Sequence, residues 1–156
     1  MATQTTTEGN VSTAATNWKA GVGGGLVGGL VFGIMLSIMA PGALQMAFPA
    51  MYGIEGPAGV IGWVIHMSHA AVIGLGFAAL ANAMPNLVAT TGKSVGTGVV
   101  YGLVVEVLLA MIVMPIWLGA VGFPGAPPLP NIALPSIVGH IVYGAVLGAV
   151  YPALAE

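Results

Sequence analysis

The chain of 156 residues is 58% hydrophobic and only 4% charged, with a net charge of −2, whereas a soluble domain carries about 25% charged residues. Its surface is therefore suited to lipid, and its two cations, Lys19 and Lys93, are too few to bind nucleic acid. Cysteine is absent, which excludes disulfides, iron–sulfur clusters and thiolate metal sites, and the length suits one bundle with no separate catalytic domain.

Residues 1–17 (MATQTTTEGNVSTAATN) are polar and Thr-rich and are expected to form a flexible tail. A helix needs roughly 20 apolar residues to cross a bilayer core. Four stretches meet that length, about 18–40, 58–82, 94–118 and 135–154. The first is longer than the apolar core of a signal peptide. Pro- and Gly-rich links join the first span to the second and the third to the fourth, while PNLVATTGK joins the middle pair. Lys19 precedes the first span and Lys93 the third, so both lie at one side. The positive-inside rule puts that side, with both termini, in the cytoplasm of a multi-pass protein of the cell membrane.

The first span carries a glycine zipper, Gly21, Gly25, Gly29 and Gly33, with Gly24 and Gly28 beside it. Gly98 and Gly102 lie in the third span, Gly144 and Gly148 in the fourth. Helices in lipid associate through close backbone approach at small residues. The main expectation is packing within the bundle. The alternatives are a second copy, a partner in a larger membrane complex, or a glycine-lined gap for a flat cofactor.

A shift of 74 residues aligns the two halves without a gap: Lys19 falls on Lys93, Gly24 on Gly98, Gly28 on Gly102, Pro41 on Pro115, His66 on His140 and Gly74 on Gly148. We read two tandem two-helix repeats, about 19–82 and 93–156. Two spans per unit give both halves the same orientation, related by a pseudo-twofold axis along the membrane normal. Symmetry breaks where His69 meets Tyr143 and Glu106 meets Phe32.

Ionisable residues inside a membrane are costly and rarely face lipid. From the helical rise of about 1.5 Å per residue, His66, His69, His140 and Glu106 are expected in one layer. One reading is a b-type haem held by His66 and His140 across the pseudo-axis, with Gly74, Gly144 and Gly148 leaving space for the ring. No Arg or Lys in the links between the first and second or the third and fourth spans would meet its propionates. The second is a metal or proton site formed by His66, His69, His140 and Glu106, to which Met35, Met39, Met111 and Met114 could add thioethers. The third is structural, with Glu106 accepting hydrogen bonds from a histidine or Tyr143.

NWKAGVGGGLVGGLVFG, GVIGWVIHMSHAAVIGLGFAAL and VGHIVYGAVLGAVY together resemble a group of small four-span membrane proteins of halophilic archaea. The carrying elements are Lys19 before the glycine ladder, Gly62-Trp63 with His66 and His69, and His140-x-x-Tyr143-Gly144 with Gly148. The resemblance implies a four-span architecture and no particular chemistry. Members are often labelled histidine kinases, but this sequence has neither the space nor the ATP-binding motifs for that activity. The expectation is an all-α, four-helix membrane bundle over 18–154. It acts as a non-catalytic subunit with a central paired-histidine site, binding haem b for electron transfer or supporting a respiratory complex. The alternatives are metal-ion or proton transport or sensing, and a structural accessory subunit. The expected partners are the lipid bilayer and a homo-oligomer or larger complex, without nucleic acid.

Overall fold

The computed structural model describes the backbone of residues 5–155 and the side chains of residues 17–155. All regular structure among these residues is helical. Helix α1 is Thr5–Met39, α2 Phe48–Met51, α3 Gly59–Ala83, α4 Thr91–Val105, α5 Met114–Ala120 and α6 Leu134–Leu154. A π-helical segment, Ala43–Ala47, leads into α2, and another, Glu106–Val113, joins α4 to α5. Four stretches are long and apolar enough to cross a membrane: Asn17–Met39, Gly59–Ala83, Thr91–Ala120 and Leu134–Leu154. They match the four spans expected from the sequence to within a few residues. The backbone of α1 is helical from Thr5, the first described residue, within the segment expected as a flexible tail; residues 1–4 of that segment lie outside the described residues. Once a span is formed, each further residue adds one hydrogen bond at little nucleation cost, which lets the helix run back into the polar segment.

Both π segments have a local cause. A proline has no N–H and its ring clashes with the carbonyl one turn back. Pro49 follows the first segment and Pro115 the second. The backbone widens ahead of each: Phe48 N–H bonds to Ala43 O and Met114 N–H to Leu109 O, five residues back. The carbonyls left without a helical donor find others outside the helix. Ala58 N–H reaches Gln45 O at 2.9 Å, and Asn131 N–H reaches Met111 O at 3.0 Å. Each half-helix after its proline ends at a left-handed glycine, Gly53 (φ 72°) and Gly122 (φ 73°). The bonds Ile54 N–H to Pro49 O and Phe123 N–H to Leu118 O close the ends in the Schellman manner.

Across the molecule the spans run in the order α3, α1, α6, α4, each antiparallel to its neighbour. Glycine sets the spacing. A Cβ at Gly21 would strike Gly74 O, and one at Gly74 would strike Gly21 O; Gly98 and Gly144 oppose each other in the same way between α4 and α6. Between α1 and α6 larger side chains meet the glycines: Leu147 covers Gly24, Tyr143 covers Gly28, and the Phe32 ring lies against Gly139. The fourth edge, between α3 and α4, stays open over much of its length. Tyr101 bridges it, donating to Ile73 O at 2.8 Å and packing on Phe77. Many of the remaining apolar side chains, such as Ile38, Val60, Val72 and Val100, point outward, as lipid-facing residues do.

Candidate functional site

Glu106 opens the second π segment, the wide turn imposed by Pro115, and its side chain is fully buried. Single π turns recur at functional sites in helices. Its Oε2 accepts from Ser136 Oγ at 2.7 Å and meets His140 Nδ1 at 2.6 Å. Ser136 and His140 are one turn apart on α6, so they present both groups to the same carboxylate. His140 Nδ1 also faces Ser136 O at 3.0 Å. Two oxygen acceptors around Nδ1 place a hydrogen there and leave Nε2 of the neutral ring with its lone pair. Glu106 Oε1 is buried with no hydrogen-bond partner among the described residues.

His66 is buried on α3, and its Nε2 lies 2.8 Å from Gly29 O on α1. A carbonyl can only accept, so this ring carries its hydrogen on Nε2, the opposite nitrogen from His140. The two imidazoles share one neighbour. The Phe32 ring stands edge-on between them, with centroids 5.4 Å from His66 and 4.8 Å from His140. Gly139 makes this possible, because a Cβ there would collide with the phenyl ring. Phe48 stacks on His66 at 5.9 Å and Trp63 meets it edge-on at 6.0 Å.

His69, one turn further along α3, joins a different group. Its Nε2 bonds to the Tyr52 hydroxyl at 2.7 Å. Tyr52 follows α2 and packs against Trp117 at 5.5 Å, so this pair belongs to the loop end of the bundle. Tyr143 does not reach Glu106. Its hydroxyl donates to Ala70 O at 2.8 Å, tying α6 to α3 beneath Gly25.

The structure thus brings His66 and His140 against Phe32, joins Glu106 to His140, and bonds His69 to Tyr52 instead. Among the described residues no three His, Asp or Glu side chains converge to hold a metal ion. A porphyrin between His66 and His140 would need a slab-shaped gap and both imidazoles turned to the iron. Phe32 fills that gap and Gly29 O engages the His66 nitrogen, so a bis-histidine haem does not fit this arrangement. Gly74, Gly144 and Gly148, expected to leave room for the ring, instead abut backbone at Gly21, Gly98 and Ser94.

Ser136, Phe32 and Tyr52 were not expected to form part of a site. The spacing of Ser136 four residues before His140 was the available signal for the first. Nothing in the sequence indicated the other two contacts, which depend on how the helices are rotated. No protein-family model, curated protein or solved structure matches the chain.

Proposed function

We propose that this chain is a non-catalytic, multi-pass protein of the cell membrane in which the Glu106–His140 pair takes up and releases a proton within the bilayer. It serves proton transfer or sensing, with Lys19, Lys93 and the termini on the cytoplasmic side. The observation carrying this reading is the fully buried Glu106 carboxylate, with one oxygen bonded to His140 and Ser136 and the other without a partner among the described residues. Intramembrane carboxylate–histidine pairs are the usual parts of proton relays. An unpartnered buried oxygen is where an arriving proton or water gains most. The Phe32 ring separates this pair from His66, which gives the site an apolar barrier on that side.

The test is infrared difference spectroscopy on the reconstituted protein across a pH jump. The expected result is a protonated-carboxyl band that disappears in Glu106→Gln and shifts in His140→Leu. No titrating carboxyl band assignable to Glu106 would refute the proposal. Proton flux into proteoliposomes then separates transfer from sensing.

A second reading, haem b between His66 and His140 in a respiratory complex, draws support from the Glu106–His140 bond. Such a bond fixes an imidazole in the tautomer that ligates metal through Nε2. It requires Phe32 to swing out and the His66 ring to leave Gly29 O, and a Soret band in the wild-type protein after haem-sufficient expression tests it directly.

The two-repeat origin is retained as part of the proposal. It is supported by the likeness of two helix pairs: Gly25 lies on Ala70 and Gly74, and Gly98 lies on Gly144 and Gly148. In these contacts the α1–α4 correspondence is one residue out of the 74-residue alignment. Gly33, which lies beside the His66 ring, is then the counterpart of Glu106. The open α3–α4 edge has no likeness to the closed α1–α6 contact, which limits any twofold relation to the helix pairs.

A further inference from the structure

We propose that the open edge between α3 and α4 is a binding site for one anionic phospholipid, with its phosphate against Lys93 and an acyl chain in the groove. The groove has a volume of about 850 Å³, within the roughly 300–1,000 Å³ of ordinary ligand sites. Leu80 and Leu87 line one side, and Val100 and Val104 line the other. Tyr101 helps to form it, with its hydroxyl already bonded to Ile73 O. The wall is therefore apolar and its polar groups are largely satisfied, which suits a hydrocarbon chain and not a polar solute.

Lys93 supplies the headgroup chemistry. It is exposed in the first turn of α4 and, among the described residues, is the only charged side chain lining the groove. Among the described residues no carboxylate pairs with it. A basic group between membrane helices attracts anionic headgroups, and one lysine near the surface contributes about 1 kcal/mol. The lysine stem packs along apolar surface while its ammonium stays at headgroup level. Elsewhere in the bundle neighbouring spans close on glycine or on large side chains; here Tyr101 crosses the edge at one level, and Gly96 has open space where its Cβ would be.

That glycine gives a clean test. Gly96→Trp puts a large side chain on the groove wall at a position where a Cβ meets nothing within 4 Å, Lys93→Gln removes the charge, and Gly119→Trp, where a Cβ also meets nothing, is the control. Each protein is reconstituted in nanodiscs with equal phosphatidylglycerol and phosphatidylcholine. Lipid retained after mild detergent extraction is then counted by native mass spectrometry. The wild type and Gly119→Trp are expected to keep one lipid, favouring phosphatidylglycerol about fivefold, the equivalent of about 1 kcal/mol. Lys93→Gln should keep a lipid without preference, and Gly96→Trp should lose it. Retention by Gly96→Trp at the wild-type level overturns the proposal, as does an unchanged preference in Lys93→Gln or equal retention of both lipids by the wild type. Lys93 is exposed, so its variant reads out the headgroup contact even if Gly96→Trp fails to fold.

Discussion

The bond between Glu106 and His140 joins two spans, and a double-mutant cycle measures it without interference from the rest of the site. Glu106→Leu removes the acceptor and leaves His140 Nδ1–H with Ser136 O, so the donor keeps a partner. His140→Leu leaves the carboxylate fully buried with only the Ser136 hydroxyl. Losing one partner of a buried ion pair costs about 3–5 kcal/mol in proteins generally, whereas neutral hydrogen bonds between membrane helices average about 0.6 and reach about 1.7 kcal/mol. With an ionised carboxylate as acceptor the bond is charge-assisted and roughly twice as strong as a neutral one, so the coupling should exceed the neutral range, at about 2 kcal/mol or more. His140→Leu should be the more damaging single change, because the group it strands is the carboxylate. The assay is reversible unfolding in mixed micelles for the wild type, both single variants and the double variant. A coupling below about 0.5 kcal/mol, within the error of additivity, would show that the two groups do not hold each other and would refute the argument.

Gly98→Ala should destabilise by about 1–3 kcal/mol, because its Cβ meets the Gly144 carbonyl across the α4–α6 contact; Gly96→Ala, in open space, should be nearly neutral in the same unfolding assay. Phe32→Ala should cost about 3–5 kcal/mol through the cavity it leaves. With the ring gone, it should gain a Soret band on incubation with hemin that the wild type lacks. Pro115→Ala restores an N–H that can compete with Asn131 for the Met111 carbonyl. The π segment should tighten, and the Glu106 carboxyl band should shift as it does in His140→Leu. Tyr143→Phe should lose about 0.6 kcal/mol by freeing Ala70 O and leave the Glu106 band unchanged.

The four spans were legible in the sequence because membrane insertion depends on summed local hydropathy, which no distant residue alters. The level of Glu106, His66 and His140 followed from helical rise alone. Their partners did not. Each residue turns a helix by about 100°, so a small rotation decides whether a side chain meets the next helix or lipid. His69 was expected in one layer with His66, yet it bonds to Tyr52 while His66 faces Gly29 and Phe32.

By itself the sequence determined an all-helical chain with four stretches long and apolar enough to cross a membrane and glycines set for close packing. Tertiary structure decided that Glu106 pairs with His140 through a π turn, that Phe32 occupies the space between two imidazoles, and that α3 and α4 part at one edge. Hydropathy is additive along the chain, whereas these pairings depend on helix rotation and offset. Both are set where backbones touch, at Gly21 on Gly74 and Gly98 on Gly144, and those contacts exist only after the helices meet.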